Sequence, residues 1–142
     1  MIILDTNVIS EAMRDAPTPA VAGWLNDQPV SDLATTTINI AEIKHGFALL
    51  GESRRRAWLE GQFDRLIART LGSRVHEFDA LAAEAFAELA AIRRRLGRPL
   101  AGFDGLIASI AASRGASLAT RDVGDFADCG VLLINPWDAP AS

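Results

Sequence analysis

The chain has 142 residues, a net charge of −4 and a single cysteine, Cys129. That length fits one domain, residues 1–142, and its 49% hydrophobic content is enough for a full core. One thiol excludes an intrachain disulfide, no apolar run approaches a bilayer span and no signal peptide is visible, so the expectation is a cytoplasmic protein with no membrane contact.

In chain order, Ile2–Leu4 reads as a buried strand ending at Asp5. Pro17 and Pro19 bracket the start of a helix that runs towards Asn26 with Val21, Trp24 and Leu25. Leu33–Thr36 is a second strand. The next helix begins near Thr37, its expected N-cap, and carries Ile40, Ile43, Phe47 and Leu50. Ser53 opens another, with Leu59, Phe63, Leu66 and Ile67 on one face.

Val75–Phe78 is the third strand. Asp79 caps a helix whose expected stripe is Leu81, Ala85, Phe86, Leu89 and Ile92, and Gly97 and Pro99 stop it. The last helix starts near Phe103-Asp104, turns Ile107, Ile110 and Ala111 inward, and has Gly115 just past its end. Ser117–Ala119 and Val131–Ile134 are the fourth and fifth strands, and Pro136 closes the fifth. Strands alternating with helices imply a mostly parallel sheet covered on both faces. Such sheets bind ligands beyond the carboxyl ends of their strands.

Four acids stand at the ends of these elements: Asp5, Glu42, Asp104 and Asp122, with Asp125 three residues after the last. Each has a plain structural reading. Asp5-Thr6-Asn7 can cap a helix, and Asp104 can cap another with Phe103 as an apolar staple. Asp122 and Asp125 are ordinary turn residues. Glu42 borders the buried stripe of its helix and is harder to explain in that way. Convergence of all of them at one sheet edge has a different meaning. Two carboxylates ~4 Å apart repel by ~4 kcal/mol at an effective dielectric of ~20, and a cation relieves that repulsion. An all-oxygen set suits Mg²⁺ or Mn²⁺ rather than Zn²⁺.

Other chemistries find little support. Glu42 and His45 have the Glu-x-x-His spacing of di-iron bundles, but His76 is the only other histidine. There is no Gly-x-Gly-x-x-Gly, Walker A or Gly-x-Ser-x-Gly motif. The acidic balance argues against gripping nucleic acid by bulk charge, unless a cation neutralises the acids locally. The triplets Arg54-Arg55-Arg56 and Arg93-Arg94-Arg95 read first as solvated helix surface and second as patches for an RNA backbone or an acidic partner.

The motifs Ile2-Ile3-Leu4-Asp5-Thr6-Asn7-Val8-Ile9-Ser10-Glu11, Ala41-Glu42-Ile43-Lys44-His45-Gly46, Phe103-Asp104-Gly105-Leu106-Ile107-Ala108, Ala119-Thr120-Arg121-Asp122, Asp125-Phe126 and Asn135-Pro136-Trp137 occur in that order. In this series the chain resembles PIN-domain proteins over essentially its whole length, and most closely VapC-type toxins of the FitB-like subgroup. The resemblance implies a three-layer α/β/α fold with a five-stranded parallel sheet in the order 3-2-1-4-5. It implies a Mg²⁺- or Mn²⁺-dependent endoribonuclease with Asp5, Glu42, Asp104 and Asp122 as catalytic acids. Asp5 and Asp104 would be the main metal ligands, joined by Glu42, Asp122 and Asp125, with Thr6, Asn7 and Thr120 supporting them. The implied partners are an RNA substrate, a VapB-like antitoxin that alone contacts operator DNA, and a second copy in a homodimer or larger assembly.

Two rivals stand beside that expectation. One is a catalytically silent module that captures a partner or RNA. The other is a phosphatase using Asp5 as nucleophile. Phosphatases of that kind carry a second Asp two positions on, where this chain has Asn7.

Overall fold

The computed structural model describes residues 1–140. Strand β1 (Ile2–Leu4) lies at the centre of a five-stranded sheet in the order β3-β2-β1-β4-β5, with β2 at Leu33–Thr36, β3 at Val75–His76, β4 at Ser117–Ala119 and β5 at Leu133–Ile134. Every pairing is parallel, with Ile3 opposite Ala34 on one side and Leu118 on the other. Helices α1 (Thr6–Ala12), α2 (Pro19–Asp27), α3 (Thr37–Leu49), α4 (Arg54–Leu66), α5 (Ala80–Arg95) and α6 (Gly102–Ser113) fill the crossovers. The expected order and layering hold.

Strand alternation divides the core into two halves. Ile3, Ala34 and Leu118 face a cluster with Ala82, Leu89, Ile107, Ile110 and Phe126. Their neighbours Leu4, Leu33 and Ala119 face Val8, Ile9, Ile43, Phe47 and Phe63 on the opposite side. Each fully buried aliphatic side chain contributes about 1.5–3 kcal/mol, so this two-sided packing carries much of the fold's stability. Phe47 and Phe63 meet edge to face at 5.9 Å and join α3 to α4.

Several local expectations are corrected. The N-cap of α3 is Thr36, whose hydroxyl accepts the Asn39 N–H, rather than Thr37. Strands β3 and β5 are shorter than the expected strands Val75–Phe78 and Val131–Ile134, because each pairs with its single neighbour at only two positions. Asp104 does not cap α6. The cap position is Ala101, Asp104 lies within the first turn, and Phe103 is 52% exposed and so staples nothing.

The phase of α5 also differs. Leu81 and Ile92 are 62% and 38% exposed, while Ala82, Leu89 and Arg93 turn inward. The buried face is therefore rotated about one residue from the expected stripe. As a result, Arg93 is only 5% exposed and is not solvated surface.

Glu11 closes the turn between α1 and α2. Its Oε1 accepts the Thr18 N–H at 2.8 Å, the Thr18 hydroxyl at 2.6 Å and an Arg14 N–H at 3.2 Å. The Thr18 hydroxyl, then the Thr18 N–H, hold this carboxyl below its usual 4.5, against the opposing effect of burial. A depressed carboxyl pKa stabilises the fold above the ordinary value, and the contribution is lost as pH falls through the lowered one. Glu11→Ala is expected to cost about 2 kcal/mol at pH 7, read as a lower Tm in a thermal melt. The difference from wild type should shrink below pH ~4.

Candidate metal centre

The carboxyl edge of the sheet brings the acids into one neighbourhood. β1 delivers Asp5, whose own N–H donates to Ala119 O at 2.9 Å, so Asp5 continues the ladder one step past the last paired residue. The same step on β4 delivers Thr120, and its hydroxyl donates to Asp5 Oδ2 at 2.7 Å. Asp5 is also the N-cap of α1: Oδ1 accepts Thr6 N–H at 2.9 Å. One carboxylate therefore caps α1 and also stands at the edge where the other acids gather.

Helix α3 contributes two groups three residues apart, hence on one face. Asn39, fully buried, donates from Nδ2 to Asp5 Oδ1 at 3.0 Å and to the Thr6 hydroxyl at 3.1 Å. The Thr6 hydroxyl donates to Glu42 Oε1 at 3.0 Å. One chain of hydrogen bonds therefore runs from Asp5 through Asn39 and Thr6 to Glu42. Asn39 was not singled out from the sequence. The signal lay in a polar amide between Ile38 and Ile40, three residues after a capping threonine.

On the other side, Asn7 Nδ2 donates to Asp122 Oδ2 at 3.1 Å and to the Thr120 hydroxyl at 3.4 Å, while Asn7 Oδ1 accepts the Arg121 N–H at 3.3 Å. The Asp122 N–H donates to the Thr120 hydroxyl at 3.0 Å. Thr6, Asn7 and Thr120 thus hold the carboxylates in place. The Arg121 guanidinium lies over the Trp137 ring, 5.1 Å from its centroid, which ties the fourth-strand motif to Asn135-Pro136-Trp137.

Asp104, in the first turn of α6, is where the charges meet. A helix N-terminus normally favours an ionised acid. Here burial first, and then the charges of Asp5, Asp125, Glu42 and Asp122, push its carboxyl up to about 6. Burial also raises Asp5, against its three hydrogen bonds, and raises Glu42, against the Thr6 hydroxyl. Gly105, beside Asp104, lets α6 lie close to its neighbours: a Cβ there would stand 3.2 Å from both Phe86 Cε2 and Leu100 Cβ.

The donor set is oxygen throughout. Among the described residues, no three acidic, histidine or cysteine side chains form a ready-made metal cage. Mg²⁺ needs no such cage, because it keeps several waters and takes one or two carboxylates directly. Mutually repelling, partly desolvated carboxylates therefore fit a small hard divalent ion. Beside them runs a groove of about 410 Å³, lined by Thr6, Glu42, Ile43, Phe47, Arg55 and Leu59 among others.

Comparison with known proteins agrees with this fold. The PIN domain family model matches residues 2–131. The plasmid stability protein StbB of Pseudomonas syringae pv. tomato is 39% identical over 98% of this chain and 100% of its own length. The VapC ribonuclease Y4jK of Sinorhizobium fredii is 36% identical over 97% of this chain and 99% of its own. Toxin FitB of Neisseria gonorrhoeae is 34% identical over 96% and 99%. The crystal structure of FitAcB from the same species superposes with a TM-score of 0.89 at 34% identity, covering 97% of this chain and 99% of that one.

Proposed function

The chain belongs to the PIN-domain family, and from that footing we propose that it is the toxin of a VapBC-type toxin–antitoxin pair, acting as a Mg²⁺-dependent endoribonuclease. The observation that carries the reading is the gathering of Asp104 with four other carboxylates, Asp5, Glu42, Asp122 and Asp125, at the carboxyl edge of the parallel sheet. The names of the relatives, a VapC ribonuclease and a toxin, support the activity and the biological role.

Asp5 and Asp104 would hold the ion, with Glu42, Asp122 and Asp125 around it and Mn²⁺ as a substitute. When bound, the ion supplies charge neutralisation at the scissile phosphate and a lowered pKa for an attacking water. The protein's own part is orientation. Asn39, Thr6 and Thr120 fix both oxygens of Asp5, and Oδ2, with one protein donor, keeps acceptor capacity for a metal ion. Glu42 and Asp122 are each tied by one hydrogen bond, leaving the rest of each carboxylate free to orient a water or accept its proton. The groove beside Glu42, mostly apolar but with Arg55 on its wall, is suited to an RNA strand.

The Asp-nucleophile phosphatase reading is weaker, because both Asp5 oxygens are already engaged by protein donors. A second copy in a homodimer is proposed from the family alone. A cognate antitoxin would restrain the enzyme and carry any contact with operator DNA. No helix among the described residues is long and apolar enough to cross a membrane.

The test is cleavage of a mixed structured RNA by purified protein with Mg²⁺, Mn²⁺ or EDTA. Cuts that need the metal are expected, and their absence from antitoxin-free protein would favour the silent binding module. Thr120→Val checks the orienting network. It leaves Asp5 Oδ2 and the Asp122 N–H without their partner, so cleavage should fall about tenfold and stability by about 1–2 kcal/mol.

A further inference from the structure

Arg93 is a buried cation with no carboxylate in ion-pairing range among the described residues. Burying a guanidinium is costly unless its N–H groups are satisfied. Here they go to main-chain carbonyls of one loop and to the turn after α5. Nη1 donates to Asp125 O at 2.9 Å, to Ala127 O at 2.8 Å and to Cys129 Sγ at 3.7 Å, and Nε donates to Arg98 O at 2.6 Å. Arg98 in turn pairs with Asp128. Asp128 sits at φ 60°, a left-handed backbone that a non-glycine residue holds only when its surroundings fix it. The segment gripped in this way is the one that carries Asp125.

Helix α5 also packs along α6, where Ala82 and Leu89 share a buried cluster with Ile107 and Ile110, and Phe86 abuts Gly105 beside Asp104. One helix therefore touches the supports of two acids that approach from different parts of the chain. Apolar packing holds the α6 end of this arrangement, and the Arg93 fork holds the loop end. We propose that Arg93 is a positioning residue for the acidic site: by fixing the Asp125 and Ala127 carbonyls to α5, it sets the Asp125 carboxylate against Asp104.

A packing residue of similar length fills the same space without gripping the carbonyls. Lysine keeps the charge but lacks the planar fork that reaches several acceptors at once. The role rests on the metal-dependent nuclease reading for its consequence in cleavage. It is also visible in metal binding alone.

The experiment is a double-mutant cycle with Arg93→Lys and Asp125→Asn on the full chain. It is read by calorimetric titration with Mg²⁺ and by RNA cleavage kinetics, after circular dichroism has shown each variant folded. Arg93→Lys is expected to weaken Mg²⁺ binding and to lower kcat, each about tenfold, with KM little changed. In the D125N background the same substitution should have almost no further effect. Equal losses in both backgrounds, or a lower Tm with Mg²⁺ affinity and kcat intact, would overturn the proposal. Should Arg93→Lys fail to fold, Arg98→Ser removes the exposed second grip on the same loop and should show a smaller effect with the same dependence on Asp125. If wild-type protein binds Mg²⁺ yet cuts no RNA, the nuclease reading fails and the calorimetric cycle still decides the role of Arg93.

Discussion

Asp5→Asn is expected to reduce metal-dependent RNA cleavage by about three orders of magnitude, or ~4 kcal/mol of transition-state stabilisation, while the protein stays folded. Asn is the informative replacement because it preserves most of the local structure. Its Oδ1 can still accept the Thr6 N–H that starts α1 and the Asn39 amide behind it. What it loses is the negative charge and the acceptor for the Thr120 hydroxyl. Alanine would confound the result, since it also removes the cap and strands the buried Asn39 side chain. The comparison is single-turnover cleavage of one RNA by wild type and variant at matched Mg²⁺, with thermal melts alongside. Wild-type rates in a folded Asp5→Asn protein would remove Asp5 from the proposed site.

The second large effect is a reversal of stability on changing Asp104. Asp104→Asn should also abolish cleavage, yet in EDTA at pH 7.5 it should melt at a higher temperature than wild type. The folded-state carboxyl lies at about 6 against an ordinary value of 3.8. A raised acid binds its proton more tightly in the fold, so its contribution is full below pH 3.8 and is lost as pH rises through 6. At pH 7.5 wild type therefore holds an ionised Asp104 among four other acids, which the amide does not. The gap should narrow as pH is lowered from 7.5 towards 5. Mg²⁺ should raise the melting temperature of wild type and leave the variant nearly unmoved, because a ligand stabilises only the state that binds it. A variant less stable than wild type in EDTA would mean that Asp104 is held by favourable contacts rather than crowded by its neighbours.

Much of this could be read from the residues alone. Asp5 and Thr120 lie one step past short apolar strands, and in a parallel sheet the ends of neighbouring strands adjoin. The strand order itself came from the family resemblance, since periodicity does not say which strands pair. The role of Asn39 and the burial of Arg93 are illegible in the sequence for opposite reasons. Asn39 is an uncharged residue in an apolar helix, where hydrophobic periodicity carries no weight for a single amide. Arg93 stands in a run of three arginines, and such runs are normally solvated. Counting 82, 86, 89 and 93 at spacings of four, three and four places it inward, but Leu81 and Ile92 offered a more apolar stripe, and that stripe faces outward. Tertiary packing against α6 decided the phase.

The acids at the sheet edge come from segments as far apart as Asp5 and Asp125. A ribosome adding roughly 5–20 residues each second would release Asp5 several seconds before Asp125. Until β4 pairs with β1, Asp5 has no Thr120 hydroxyl to orient it and Asp104 has no loop acid beside it. The proposed active centre is therefore assembled only when synthesis has all but finished.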